Sequence, residues 1–209
     1  QKRERASISF TDPMVNDTNN LLSGSIFYSF SGRSSMYYTP YDATTKGGSV
    51  RWGRRFKWPD DYFRGSWSFT GHQRIYEFEN SEESQFYTGG LNKTVGISIN
   101  QSISRDSRDH PEFPTIGSLM ALSSSISGGP LGGNEDFHKH VLNLEWFTPT
   151  FWKFVLMSSV KIGGIKALPS NDNDRSIIPF NERFIMGGSG MVYGNPLRGY
   201  EDNRVGPLS

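Results

Sequence analysis

The chain has 209 residues, of which 34% are hydrophobic, 14% aromatic and 21% charged, with a formal net charge of +1 and no cysteine. So even a charge balance offers no field for gathering nucleic acid or an acidic partner, and the lack of cysteine excludes a disulfide scaffold and thiol chemistry. No apolar run approaches the ~18 residues of a membrane helix, and the length fits one domain built on a sizeable core or barrel.

The predicted elements are almost all strands. Residues 5–10, 21–30 and 48–56 alternate weakly, and residues 63–72 alternate cleanly. In that fourth stretch Phe63, Gly65, Trp67, Phe69 and Gly71 share one face, and Arg64, Ser66, Ser68, Thr70 and His72 share the other. A strand turns successive side chains to opposite faces, so one face is apolar and the reverse polar. Residues 95–104 repeat the pattern, with Val95, Ile97, Ile99 and Ile103 against Gly96, Ser98, Asn100, Ser102 and Ser104. A weaker strand follows at 118–127. In the next, Leu142, Leu144 and Trp146 oppose Val141, Asn143 and Glu145. The last row is Phe154, Leu156, Val160 and Ile162, with Lys161 on the reverse. That makes about eight strands, several of the ~10 residues a tilted strand needs to cross a bilayer.

The connectors span residues 11–19, 31–46, 57–61, 79–92, 105–115, 128–135, 148–152 and 167 onward. Short or Pro-anchored turns mostly alternate with longer loops, as in outer-membrane barrels with short periplasmic turns and long extracellular loops. On that reading Trp58 to Asp61 and Thr148 to Thr150 are periplasmic, whereas Ser34 to Tyr38 and Ser81 to Ser84 face outward. Trp58, Tyr62, Trp146, Phe147, Phe151 and Trp152 cluster near the short turns as an interfacial aromatic girdle. Alternation alone does not say which face is inside, so a soluble β-sandwich or a lipocalin-like barrel also fits.

Short motifs narrow the choice. Asp106-Ser107-Arg108-Asp109-His110-Pro111-Glu112-Phe113-Pro114-Thr115-Ile116-Gly117-Ser118 resembles a turn of BamA-type outer-membrane barrels. Ser9 to Pro13, Gly53 to Phe63, and Ser127 to Gly133 resemble further segments of that family. Leu197-Arg198-Gly199-Tyr200 is similar to its (V/I)-R-G-(F/Y) loop motif, with leucine at the aliphatic position. The resemblance runs from residue 9 to the end.

It implies a fold and a role. The fold is an all-β, antiparallel up-and-down transmembrane barrel, here a partial one over residues 1–166 that resembles strands four to eleven of sixteen. Residues 167–209 form the long lumenal loop. The family's periplasmic POTRA domains and closing strands are not in this sequence. The implied role is an insertase that folds β-barrel proteins into the bacterial outer membrane, without covalent chemistry, cofactor or metal. Its partners would be unfolded outer-membrane β-barrel substrates, accessory lipoproteins and the lipid bilayer, with no nucleic acid. The resemblance makes Arg198 a lumenal latch, a task suited to a guanidinium that forks onto carboxylates and keeps its charge. Gly187, Gly188, Val205, Gly206 and Pro207 would support that loop, and the latch's acidic partners would lie on later strands. A related protein-translocating pore of the two-partner secretion type shares these features. A passive eight-stranded porin is the alternative from another class, and it requires the strand near Arg5 to pair with the one near Ile162.

Other clusters carry less. His138 and His140 share a strand face, a spacing that can hold a metal, but no third ligand is placed. The acids and arginines around Asp106 sit in a Pro-rich turn and read as charge pairs. Gly128 to Gly133 has the glycine density of a phosphate loop, without the following Lys-Ser/Thr.

Overall fold

The structure is a computed structural model that describes residues 2–33, 41–169, 178–179, 182–184, 186–187 and 197–200. Its strands are β1 (Arg3–Asp12), β2 (Asn20–Ser31), β3 (Tyr41–Arg55), β4 (Phe63–Phe78), β5 (Lys93–Asp106), β6 (Gly117–Ser127), β7 (Phe137–Pro149) and β8 (Val155–Ala167). They form one eight-stranded sheet in chain order, each antiparallel to the next. β1 and β8 are not paired with one another. The sheet therefore stays open among the described residues, against the closure that a passive eight-stranded porin requires.

Register decides what each face carries. On one face, Phe10, Gly24, Val50, Phe69, Ile99 and Ile126 lie side by side across six strands. Phe10, Val50, Phe69, Ile99 and Ile126 are all exposed, as are Ile8, Ile26, Leu122 and Leu156 on the same face. Trp52 and Trp67 stack at 4.9 Å between ring centroids, and Phe56 meets the edge of Trp67. The opposite face carries Ser9, Ser25, Ser49, Thr70, Ser98 and Ser127 in one cross-strand row.

Only Tyr76, Phe137 and Phe147 are buried hydrophobics among the described residues. A sandwich or lipocalin would pack its apolar face inward; this chain turns it outward, where only lipid satisfies so large an apolar surface. On β3 the outer positions Lys46 and Arg54 bracket Gly48, Val50 and Trp52. At ~3.3 Å per residue and ~40° of tilt they stand about 20 Å apart along the membrane normal, close to the apolar band of such barrels. No helix among the described residues is long and apolar enough to cross a membrane.

Three expectations need correction. β3 begins at Tyr41, not near Gly48, because Tyr41 packs on Tyr76, Phe78 and Tyr87 above the membrane. The connector at 79–92 contains a helix, α1 (Ser81–Thr88), that polar composition concealed; Gly89 ends it in the left-handed region at φ 63°. Ser34 to Tyr38 lie outside the described residues. In the girdle, Trp58, Tyr62, Trp146, Phe151 and Trp152 are exposed near the short turns, but Phe147 is buried on the inner face opposite Gly117 and Met157. Its position is out of phase with Trp146, and a one-residue step on a strand reverses the face.

Candidate functional site on the inner wall

Three groups organise the hydroxyl-lined face. The first is the β5–β6 turn. Arg108 forks onto Asp106, with Nε 2.8 Å from Oδ1 and Nη2 2.9 Å from Oδ2. Asp109 accepts from the Thr115 hydroxyl, from the Thr115 N–H at 2.8 Å and from the Ile116 N–H at 3.2 Å. These donors, the Thr115 hydroxyl first, hold its carboxyl well below the usual carboxylate range. His110 Nδ1 accepts from the Glu112 and Phe113 N–H groups, and Arg108 Nη1 donates to the Pro111 carbonyl. Pro114 precedes Thr115 in the same turn. Gly117 has φ +113°, and a Cβ there would lie 2.3 Å from the Ser107 carbonyl oxygen, so the turn excludes a side chain. Of the acids and arginines expected to pair here, Asp106 and Arg108 do so within the turn, Arg105 reaches Asp60 of the preceding turn, and Asp109 is held by Thr115 and Ile116 instead.

The second group escaped sequence reading. On β4, His72 stands between Gly47 of β3 and Gly96 of β5. Over Gly96 the His72 Nε2 meets Glu135 Oε2 at 3.1 Å. Thr94 Oγ1 donates to Glu135 Oε1 at 2.8 Å, and Arg74 Nη1 lies 3.5 Å from the same oxygen. Glu135 is 3% exposed. Its segment follows β6 and lies along the upper end of β5, where Asn134 N–H donates to Val95 O and Val95 N–H to Asn134 Oδ1. Gly133 bridges Gly96, and Asp136 Oδ1 accepts from the Gly129 N–H. Burial by itself would raise the Glu135 carboxyl; the His72 hydrogen bond, the Arg74 charge and Thr94 together outweigh it and lower it. The available sequence signal was a pair of glycines, Gly47 and Gly96, flanking one histidine in register, and register is not readable from one strand.

The third group docks the chain beyond β8. Lys139 Nζ donates to the Glu182 carbonyl at 2.9 Å and to Glu182 Oε2 at 3.0 Å, and sits 5.1 Å from the Phe184 ring centroid. Phe184 covers Gly163, where a Cβ would come within 2.6 Å of the ring. Pro179 and Glu182 line a cavity of about 530 Å³ with Arg51, His72 and Arg74. Residues of the long C-terminal segment thus rest on the inner wall, by a contact that the motif reading did not include.

Leu197, Arg198, Gly199 and Tyr200 form a turn, with Gly199 at φ +86°. Arg198 is exposed and forms no ion pair with a described residue. Gly187 has φ +140°; Gly188, Val205, Gly206 and Pro207 lie outside the described residues. His138 and His140 fall on the outer face with Leu142, their rings 5.3 Å apart, and His140 Nδ1 pairs with the Ser124 hydroxyl at 2.9 Å.

An antiparallel meander with lipid outside, hydroxyls inside and loops folded against the inner wall is the wall of a transmembrane β-barrel. The Omp85 superfamily domain matches residues 1–209, and the chain belongs to that superfamily of outer-membrane β-barrel proteins. It is 25% identical to the outer membrane protein assembly factor BamA of Nitratidesulfovibrio vulgaris, over 99% of this chain and 24% of that protein. It is 25% identical to a SAM50-like protein of Schizosaccharomyces pombe, over 90% of this chain and 43% of that one. Its fold matches the crystal structure of BamA from Haemophilus ducreyi lacking POTRA domains 1–3 with a TM-score of 0.74 and 17% identity, covering 98% of this chain and 39% of that one. The chain therefore spans about a quarter of the bacterial relative's length and under half of the others.

Proposed function

We propose that this chain is wall and lumenal loop of a bacterial outer-membrane insertase, which assembles β-barrel proteins without covalent chemistry. The relation to an assembly factor over 99% of this chain carries the reading. In this reading residues 1–166 are the static wall and residues 167–209 the loop. Unfolded β-barrel proteins are the substrates, accessory lipoproteins the partners, and the bilayer the solvent. An inserting strand must keep its backbone groups paired on entering lipid, and pairing to a sheet edge does this with little regard to sequence. The machine therefore needs a weak seam elsewhere and a wall that keeps its shape while the seam opens. Continuous pairing from β1 to β8 suits that wall, and the docked loops suit a lumen whose contents are held in place.

Arg198 acts as the loop's latch, with Leu197, Gly199 and Tyr200 shaping the turn and the Asp106–Gly117 turn stiffening the periplasmic rim. The test is replacement of the resident full-length gene by an Arg198→Glu or Lys139→Glu variant, scoring heat-modifiable, folded outer-membrane proteins. The expected result is a several-fold fall in assembled barrels at equal variant abundance. Unchanged assembly in both variants would overturn the latch. Normal barrel assembly in a strain lacking the whole protein, with loss of one secreted protein, would favour a translocation pore instead.

A further inference from the structure

A cluster of cations on the inner wall forms no hydrogen bond or ion pair with either docked segment among the described residues. Arg51 and Arg55 occupy inner positions of β3, and Arg64 of β4 stands directly opposite Arg55. Like charges placed opposite each other on a sheet destabilise the pair. None of the three forms an ion pair with a carboxylate among the described residues. The nearby acids are engaged: Asp106 lies in the fork of Arg108, and Asp60 Oδ2 holds Arg105 Nε at 2.8 Å. Arg55 Nε donates to the backbone carbonyl of Asp61, which leaves its charge uncompensated.

The three arginines surround a cavity of about 350 Å³ whose wall also carries the hydroxyls of Ser66, Ser102 and Ser104. Between Arg51 and Arg55 the inner position is Gly53, opposite Ser66 and flanked by Leu21 of β2, so no side chain of β3 itself stands between the two arginines. Guanidinium forks beside hydroxyl donors are chemistry for an oxyanion.

We propose that this bowl binds an extended, acidic polypeptide segment that enters the lumen from the end where β3 turns into β4. Its face decides against lipid phosphate, because headgroups contact the opposite, apolar face of the sheet. Arg55 and Arg64 together span one oxyanion, but the cluster reaches on to Arg51, farther than a single free phosphate extends. Arg51 and Arg55 are separated by about 13 Å of strand at ~3.3 Å per residue, the spacing of carboxylates four residues apart on an extended chain. The proposal deepens the assembly reading above, since it gives the lumen a surface for a polypeptide in transit.

The test uses the full-length protein in lipid nanodiscs and a labelled peptide with glutamate at every fourth position, beside its glutamine counterpart. Wild type binds the glutamate peptide and not the glutamine one, with affinity that falls as salt rises. The triple variant Arg51→Gln, Arg55→Gln, Arg64→Gln loses about tenfold or more, and the corresponding triple lysine variant keeps part of the binding. Equal binding of the two peptides to wild type overturns the proposal, as does wild-type affinity in the glutamine variant. Displacement by inorganic phosphate as effective as by unlabelled glutamate peptide overturns the polypeptide assignment. Heat-modifiability of each purified variant reports its folding, and the two-peptide comparison on wild type needs no variant. Peptide binding is measured without assembly activity, so loss of the assembly reading leaves a positive binding result standing.

Discussion

His72 and Glu135 lie 63 residues apart in the chain, yet Nε2 of one meets Oε2 of the other at 3.1 Å above the bare backbone of Gly96. The contact ties the segment between β6 and β7 to the wall two strands away. Arg74 and Thr94 close the shell around the carboxylate, so Glu135 is a buried acid that anchors the loop end.

Glu135→Ala should leave Arg74 beside an apolar gap in the buried side of the wall. Removing one partner of a buried charge pair costs roughly 3 kcal/mol or more. Amide hydrogen exchange at Val95 and Asn134 should rise sharply, with exchange in β7 and β8 little altered. Unchanged protection at Val95 would show that the loop is held by other contacts.

The same carboxyl sets an acid limit. Its pKa in the folded protein is lowered, so its contribution to docking is fully present above the ordinary glutamate value near 4.5 and is lost as pH falls through the lowered value. Loop protection should therefore hold constant from neutral pH down to about 5 and decline only in stronger acid. A decline already at pH 6 in the wild type would contradict Glu135 as the titrating group.

Gly96→Ala tests the floor of the contact. A Cβ there would fall 2.4 Å from His72 Cε1 and 2.6 Å from Glu135 Oε2, so ring and carboxylate must part. The expected cost is about 1–3 kcal/mol, seen as a lower unfolding temperature and the same rise in exchange as Glu135→Ala. The two changes together should cost less than their sum, because both remove one interaction.

The faces of β4 give a direct test of orientation. Phe69→Lys places a charge in the apolar band and should cost about 2–4 kcal/mol, whereas Thr70→Lys projects on the inner face between the hydroxyls of Ser49 and Ser98 and should change stability by less than about 0.5 kcal/mol. Urea unfolding of the protein refolded in lipid vesicles would measure both. Equal costs would contradict the assignment of outside and inside.

Much of this protein was settled by its sequence, because strand character is local. The alternation of Phe63, Gly65, Trp67, Phe69 and Gly71 with polar neighbours appears as one apolar and one polar face wherever that strand pairs. The strand count and the Asp106–Arg108 pair follow from similarly short stretches. A helix of mixed composition at Ser81–Thr88 and the full length of β3 lacked a local signal, since packing of Tyr41 on Tyr76, Phe78 and Tyr87 defines them. Only the register of eight strands decided which glycines flank His72, that Glu135 reaches it, that Lys139 finds Glu182, and that Arg55 faces Arg64. A net charge of +1 concealed that last cluster, because a sum over residues cancels charges that the sheet holds apart. Polar partners separated by tens of residues meet through pairing geometry, and that geometry exists only once the sheet has formed.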